Sequence, residues 1–298
     1  MPVLPELPTA PLQPLNLPWL ERAGIQAAIL RLDLIDPLVG GNKWFKLRHH
    51  LLAAYAAGAP GLIGLGGNHS NHLHALAAAG QRLGLPTAGL LRGHAQHTPT
   101  VEDLQRFGMQ LHWLGYGGYR ARHQADFWAP WHERYPGWYC IPEGGGGAAG
   151  ALGCQAIVEQ ARRQLPALGW ADYDAWWLAV GTGTTLAGLV QAEAGEHPVH
   201  GALAVPADHG VAATVRALAG DHGYRLHDAS RGGFAKMDEA LLNFVDACER
   251  DSGVPLEALY SGKLLMALHE QVAAGEVARG SRLLLVHGGG LQGRRGYR

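Results

Sequence analysis

A lysine follows two glycines and an asparagine at residues 40–43, just ahead of a stretch whose apolar residues have helical spacing. An amine at the start of a helix lies at the positive end of the helix dipole, which lowers its pKa. A lysine with a lowered pKa and partial shielding from water can form a Schiff base with an aldehyde. Lys43 is therefore a candidate nucleophile. Most lysines are solvated, however, and Lys43 or its neighbour Lys46 could be an ordinary charge at a helix end.

A second motif, GLGGNHSN at residues 64–71, joins a short apolar run to another helical stretch. Ser70 or Asn71 could cap this helix. The same geometry can direct backbone amides and a hydroxyl group at an anionic ligand. The glycine spacing does not fit the GxGxxG fingerprint of dinucleotide-binding loops, so that class of ligand is not indicated.

A third motif follows the apolar run AWWLAV and opens a helix, and it consists of Gly181, Thr182, Gly183, Thr184 and Thr185. Its backbone N–H groups and three hydroxyl groups could form a cup for a phosphate group. No lysine follows the glycines as one does in a Walker A loop. The motif therefore favours a bound monophosphate over ATP.

Two further segments place polar groups beside glycine. Tyr260 and Ser261 follow a break at residues 253–255. Tyr260 could act as an acid or base, or stack on a ring, although a turn at a helix start would explain the segment equally well. Near the end of the chain, the apolar run at residues 283–286 leads into three glycines, which again places a loop at the end of a strand.

Short apolar runs alternate with helical stretches along the chain, and this alternation predicts βαβ units and a mostly parallel sheet. Residues 1–18, rich in proline and leucine, are predicted to be an irregular arm. Ligands of open α/β sheets bind beyond the carboxyl ends of the strands, where most of the glycine-rich motifs lie. The predicted strands are 61–65, 87–91, 110–114, 138–141, 175–180, 200–205 and 282–286.

The composition excludes several classes of protein. Lys and Arg number 24 against 25 Asp and Glu, so the chain lacks the basic excess of a duplex nucleic-acid binder. Hydrophobic residues make up 47% of the chain, enough for a sizeable core. No apolar run is long enough to span a bilayer, and the N-terminus has no signal-peptide pattern. The three scattered cysteines form no disulfide framework, and a cytoplasmic location is expected.

In combination the motifs resemble the tryptophan-synthase-β-like (fold type II) pyridoxal 5′-phosphate (PLP) enzymes. Within them the chain looks like the family of 1-aminocyclopropane-1-carboxylate (ACC) deaminase and D-cysteine desulfhydrase. GGNKWFKL is similar to the family's GGNKxRKL, and GGNHSNHLHALAA is similar to its GGxQSNxxRxxAA. GTGTTLAGL is similar to its TGSTxAG loop, and LYSGK and VHGGG are similar to its PVYxGK and HxGG segments.

The resemblance covers nearly the whole chain and implies an α/β fold. A large domain with a mostly parallel sheet, residues 1–45 and 155–298, would bind PLP. A smaller α/β domain, residues 46–154, would be inserted into it, with the cofactor between the two. The resemblance also implies a homodimer.

The resemblance further implies roles for single residues. Lys43 would bond PLP as a Schiff base, and Tyr260 would face the substrate. Ser70 would carry a proton or bind the substrate carboxylate. Asn71 would form a hydrogen bond with the ring oxygen of the cofactor. The 5′-phosphate would be held by the third motif, which comprises Gly181, Thr182, Gly183, Thr184 and Thr185.

The sequence departs from the family pattern at positions that bear on the substrate. ACC deaminase has a glutamate directly after the tyrosine, close to the pyridine nitrogen, where this chain has Ser261. A carboxylate keeps that nitrogen protonated, as the opening of a cyclopropane requires, whereas a hydroxyl suits β-elimination of a thiolate. Ser261 therefore favours the desulfhydrase-like branch. Gly288 replaces the threonine of the desulfhydrase HTGG segment, which leaves Ser261 or water to contact the ring nitrogen. His69 replaces the usual glutamine before the serine.

We therefore expect a PLP-dependent lyase or deaminase that acts on a small amino acid. The expected reaction is a D-cysteine desulfhydrase-like β-elimination giving a keto acid and ammonia, with Lys43 or Ser70 moving the α-proton. ACC deaminase is the alternative within the family. A non-catalytic protein that binds a phosphate ligand would keep the threonine motif without needing Lys43.

A histidine-rich metal hydrolase is a further alternative. His69, His72 and His74 lie close together in the second motif. They lack both a nearby carboxylate in the sequence and the HExxH spacing of zinc enzymes. The sequence therefore predicts no metal site.

Overall fold

The structure is a computed structural model that describes residues 6–296, and it contains two β-sheets covered by helices. Within these residues the strands are β1 (Leu12–Pro14), β2 (Gln26–Arg31), β3 (Leu62–Gly66), β4 (Thr87–Leu91), β5 (Gln110–Trp113), β6 (Tyr139–Cys140), β7 (Ala175–Val180), β8 (Val199–Leu203), β9 (Tyr224–Asp228) and β10 (Arg282–His287). The part of the predicted arm at residues 1–5 lies outside the described residues.

The helices of the described residues surround these strands. They are α1 (Pro18–Ala23), α2 (Asn42–Ala56), α3 (Asn71–Leu83), α4 (Pro99–Arg106), α5 (Gly115–Arg120), α6 (Ala129–Arg134), α7 (Gly147–Arg162), α8 (Thr184–Glu193), α9 (Val211–Ala219), α10 (Glu239–Ser252) and α11 (Lys263–Ala273). A short π-helical turn, Ala258–Gly262, leads into α11.

The larger sheet has the strand order β1-β2-β10-β7-β8-β9, and all its neighbouring strands are parallel except the pair β1 and β2. The smaller sheet has the order β5-β4-β3-β6 and is parallel throughout. Central strands such as β3 and β4 are buried along their whole length, as expected for parallel strands covered on both faces. The predicted α/β fold with mostly parallel sheets is confirmed.

Three details differ from the sequence-based expectation. The predicted irregular arm contains β1, which pairs with β2 through Leu12 and Leu30. Strand β2 itself was not predicted, because its apolar run follows α1 after only two residues. Edge strand β9 was not predicted either, since its partly exposed residues YRLHD lack a continuous apolar run.

The division into two domains stays a prediction. Strands β3 to β6 fall within residues 46–154, the span predicted as the insertion, and the strands of the larger sheet lie outside it. Among the described residues, no helix has the length and apolar character needed to cross a membrane.

Helix α7 packs directly against α2 and α8 because glycine allows the backbones to meet. A Cβ atom at Gly153 would lie 2.0 Å from the Phe45 carbonyl oxygen. A Cβ atom at Gly188 would lie 2.4 Å from the Ala151 carbonyl oxygen. These contacts fix α2, and with it the residues of its first turn, against the helices that cover the larger sheet.

Candidate active site

The carboxyl ends of strands from both sheets border one cavity of about 880 Å³. Its lining includes Gly67 after β3, Thr182 after β7 and Val205 after β8. The sequence predicted this position, because ligands of α/β sheets bind where the strands end. The cavity therefore brings together three of the segments that carry the sequence motifs, through Gly67, Thr182 and Tyr260.

Lys43 lies in the first turn of α2 and is partly buried. Its Nζ donates a hydrogen bond of 2.7 Å to the Asn42 side-chain oxygen. Burial lowers the pKa of Lys43 to about 7, and the nearby charge of Lys46 adds to this effect. The structure thus gives Lys43 the property that a Schiff-base lysine requires, an amine that is largely neutral near physiological pH.

The loop that carries Lys43 is anchored by backbone contacts. Gly41 has φ 71° and donates its N–H to the Leu32 carbonyl, while the Asn42 N–H donates to the Gly288 carbonyl. A Cβ atom at Gly41 would lie 2.0 Å from the Gly288 oxygen, so no side chain fits between the two loops. The loop after β10 therefore fixes the position of Lys43.

Lys46 is a site residue whose role the sequence analysis did not assign. It lies one turn after Lys43 on the same side of α2, and only 4% of its surface is exposed. Its Nζ donates to the Gly144 carbonyl at 3.1 Å and lies 3.5 Å from Thr182 Oγ1. A second buried amine therefore faces the threonine motif.

The threonine motif forms the N-terminus of α8, as predicted. Thr184 and Thr185 are its first two residues, and Gly183 precedes them with φ 85°. Thr182 Oγ1 and Thr184 Oγ1 lie 3.2 Å apart, and the Asn42 side-chain amide donates to Thr185 Oγ1 at 2.9 Å. The amides of the first helical turn have no partner within the helix. Hydroxyl groups and free amides therefore converge at one point.

The donor set fits the phosphate group of PLP. The first-turn amides of α8, the Thr182 hydroxyl and the Lys46 amine supply hydrogen-bond donors and positive charge at one place. The opposite wall is backbone, since a Cβ atom at Gly144 would lie 2.8 Å from Thr182 Cγ2. Gly181 completes the loop, and a Cβ atom there would lie 3.3 Å from the Tyr260 ring. The cup is thus open to a small anion because positions 144 and 181 carry no side chain.

Ser70 and Asn71 occupy the start of α3. Ser70 caps the helix, and its Oγ accepts a hydrogen bond of 3.2 Å from the Leu73 N–H. The Asn71 side-chain oxygen accepts 3.0 Å from the Gln292 amide, beside the loop after β10. The structure thus shows the capping that the sequence allowed. The roles predicted for Ser70 toward substrate and for Asn71 toward the cofactor ring stay predictions.

Tyr260 and Ser261 lie in the π-helical turn, where Tyr260 lines the cavity and Ser261 is buried. The Ser261 hydroxyl lies 3.2 Å from Glu257 Oε1 and donates to the Glu257 carbonyl at 3.0 Å. Its predicted contact with the pyridine nitrogen stays a prediction. Burial raises the pKa of Tyr260, and the Glu257 carboxylate acts in the same direction.

Glu257 is a buried carboxylate that the sequence analysis missed. Its Oε1 accepts from the Tyr260 N–H at 2.8 Å and from the Ser261 N–H at 2.6 Å. Burial raises its pKa to about 7, against the opposing effect of these hydrogen bonds. Its charge also acts on Lys43. A carboxylate is therefore present beside Ser261, although it comes from four residues earlier in the chain.

The three clustered histidines have separate surroundings. His74 Nε2 lies 3.2 Å from Asp103 Oδ2, a carboxylate that sequence proximity could not reveal. His72 is buried beside Lys43 and Lys46, and burial holds its pKa well below the ordinary value. His69 lies next to Gly296, since a Cβ atom there would lie 3.2 Å from its ring.

The chain is similar to known proteins in both sequence and structure. The sequence model of a family described as "Pyridoxal-phosphate dependent enzyme" matches residues 6–289. A relative from Pyrococcus abyssi, named "Putative 1-aminocyclopropane-1-carboxylate deaminase", is 26% identical over 91% of this chain and 86% of the relative. A relative of the same name from Pyrococcus horikoshii is 27% identical over 91% of this chain and 86% of its own.

Solved structures agree with the sequence matches. The crystal structure of an ACC deaminase homologue superposes with a TM-score of 0.82 and 25% identity, and covers 97% of this chain and 92% of that chain. Threonine deaminase isoform 2 from Solanum lycopersicum has a TM-score of 0.69 and 15% identity, and covers 95% of this chain and 84% of that chain. The second likeness shows the fold alone.

Proposed function

Because this chain belongs to the pyridoxal-phosphate dependent enzymes, we propose that it uses PLP to remove a β-substituent and ammonia from a small amino acid. The observation that carries the proposal is the Lys43 amine, with its lowered pKa, hydrogen-bonded to the Asn42 side chain, whose amide in turn donates to Thr185 of the threonine cup. Ser261 at the position after Tyr260 supports a D-cysteine desulfhydrase-like reaction. For D-cysteine, water and substrate would give pyruvate, sulfide and ammonia.

PLP supplies an electron sink for the charge left on the substrate α-carbon when the α-proton is removed. In this proposal Lys43 Nζ bonds the cofactor. When the substrate has displaced Lys43 from the cofactor, the free amine takes the α-proton, since its low pKa leaves the amine neutral. The first-turn amides of α8 and Lys46 hold the phosphate group. Ser70 and the amides at the start of α3 orient the substrate carboxylate.

The test is a screen of the PLP-loaded protein with D-cysteine, β-chloro-D-alanine and ACC, measuring keto-acid and ammonia release. We expect release from the first two compounds and little from ACC. A PLP-loaded protein that releases no keto acid from any of the three would contradict the proposal. Sulfide measured together with pyruvate would separate elimination from other routes of D-cysteine loss.

ACC deaminase is the second candidate, and two observations favour it. Curated relatives carry that name. The buried Glu257 carboxylate also lies within 3.2 Å of Ser261, so a carboxylate is near the position where the family pattern has one. Release of 2-oxobutanoate from ACC, faster than pyruvate from D-cysteine, would assign this activity instead.

The proposal also includes a homodimer, which rests on the family resemblance, and a cytoplasmic location, which rests on the three scattered cysteines. The family match favours an enzyme over the two alternatives from other classes, a non-catalytic phosphate-binding protein and a metal hydrolase.

The lowered pKa of Lys43 gives a prediction for cofactor uptake by the apoprotein. The neutral amine attacks the PLP aldehyde, and its fraction rises as the pH passes the amine pKa. We expect the rate at which the visible absorbance band grows after PLP addition to rise with a midpoint near the Lys43 pKa of about 7. N-acetyl-lysine with PLP is the control, and a protein midpoint near the ordinary value of 10.5 would show that burial does not act on Lys43.

A further inference from the structure

The active-site cavity has a wall of arginines on the side of the smaller sheet. Arg92, Arg120 and Arg122 line this wall, and Glu143 is the acidic residue among the described residues of the lining. We define the cationic wall as Arg92 and Arg120. Neither the phosphate cup nor the proposed elimination makes use of it.

Arg122 is neutralised by its neighbours and is therefore left out of the cationic wall. Its Nε donates to Glu143 Oε2 at 2.7 Å, and its guanidinium lies 4.7 Å from the centre of the Tyr119 ring. Tyr119 donates its hydroxyl proton to the second Glu143 oxygen at 2.5 Å. Both carboxylate oxygens of Glu143 are therefore already hydrogen-bonded, one to Arg122 and the other to Tyr119.

Arg92 and Arg120 have no carboxylate within ion-pair distance in the part of the chain that the structure describes. Arg92 follows β4, and its backbone N–H donates to the Gly66 carbonyl at 3.0 Å, next to the loop that leads to Ser70. The Arg92 guanidinium lies 5.3 Å from the centre of the Tyr116 ring. Arg120 follows Tyr116 by one helical turn in α5. Both cations and Tyr116 therefore line the same cavity, and Arg92 lies over the Tyr116 ring.

The backbone holds this arrangement in place. Gly93 and Gly115 exchange two hydrogen bonds of 3.2 and 3.0 Å, which join the loop after β4 to the start of α5. Arg92 and Tyr116 are the residues directly next to this pair. The backbone after Arg92 is thus joined to the start of α5, the helix that carries Arg120, and both arginine side chains are exposed and line the cavity.

The site offers three positions for an anionic group. The threonine cup with Lys46 suits the cofactor phosphate, and the start of α3 suits the substrate α-carboxylate. The cationic wall binds neither the cofactor phosphate nor the substrate α-carboxylate in this arrangement. Resting on the proposed function, we infer that among small amino acids the site prefers those whose side chain ends in an anionic oxygen group over uncharged ones, and that Arg92 and Arg120 bind this group. Guanidinium groups form paired hydrogen bonds with such oxyanions.

The test compares near-isosteric amino acids by calorimetric titration of the PLP-loaded protein, with both enantiomers of each. The pairs are aspartate against asparagine, for a carboxylate, and O-phosphoserine against serine, for a phosphate. We expect the anionic member of at least one pair to bind about tenfold more tightly. In the R92Q/R120Q double variant the preference should fall below about twofold.

The matched control is R163Q/R216Q, which removes the same charge from two exposed arginines, Arg163 directly after α7 and Arg216 on α9. It should keep the preference, since those residues do not line the cavity. Equal binding within both pairs would overturn the inference, and so would a preference that both double variants lower equally. Binding does not require turnover, so the preference can be measured even if no keto acid is released. A failure of the proposed lyase activity is thereby distinguished from a failure of this inference.

Discussion

Replacing Lys43 with alanine is expected to abolish the visible absorbance of the PLP-loaded protein and to lower the rate of keto-acid release by at least roughly 10³-fold, because of the two roles proposed for this amine. In the proposed function the same Nζ bonds the aldehyde and moves the α-proton, so both functions would be lost together. The absorbance spectrum and the keto-acid assay measure the two effects separately. Lys43→Arg should behave like the alanine variant, because a guanidinium stays protonated.

The chain offers matched controls for this experiment, since it has four lysines, Lys43, Lys46, Lys236 and Lys263. Lys236 is exposed, and its alanine variant should keep both the band and the activity. Borohydride reduction followed by peptide mass spectrometry identifies the bonded lysine directly. Label on Lys46, with the band intact in Lys43→Ala, would show that the wrong amine had been assigned.

Replacing Lys263 with methionine is expected to produce the largest loss of stability among single lysine substitutions. Only 1% of the Lys263 surface is exposed. Its Nζ donates to four backbone carbonyls at 2.9 to 3.2 Å, those of Ala204, Ser230, Gly233 and Phe234. Methionine fills a similar volume but leaves these oxygens without a donor. We expect the free energy of unfolding to fall by about 3 kcal/mol or more.

Urea unfolding measures this loss as a shift of the midpoint. Lys236→Met makes the same chemical change at an exposed position and should leave the midpoint within error. Equal midpoints for the two variants would show that the carbonyls find other donors. Phe234 also lines the cavity and packs edge-on against Tyr260, so the Lys263 variant should lose activity as well.

The parts of the site that sequence could predict are those built from neighbouring residues. Lys43, Ser70 and Thr184 each lie at the start of a helix, and glycine, capping and helical periodicity mark such positions in the sequence. Lys46 was within reach of the same reasoning, because a residue three positions after Lys43 in a helix faces the same side. Its burial could not be inferred, since nothing nearby in sequence shows that α7 covers it.

The parts that sequence could not predict come from distant segments. The cationic wall joins Arg92 and Arg120 from separate elements, which are brought together by the pairing of β4 with β5 and of Gly93 with Gly115. Glu257 was missed because its carboxylate turns back onto the N–H groups of the following residues, a contact set by an unusual π-helical turn. Edge strands such as β9 carry too little apolar sequence to be distinguished from loops.

The contact between Gly41 and Gly288 separates two properties of this protein. The backbone next to Lys43 is hydrogen-bonded to the loop after β10 of the larger sheet. The two residues of the cationic wall lie elsewhere, Arg92 after β4 of the smaller sheet and Arg120 in α5. Substitutions at Arg92 and Arg120 are therefore expected to change the substrate preference without displacing the Lys43 amine. Conversely, Gly41→Ala would displace the Lys43 amine and leave Arg92 and Arg120, with the ligand preference proposed for them, unchanged.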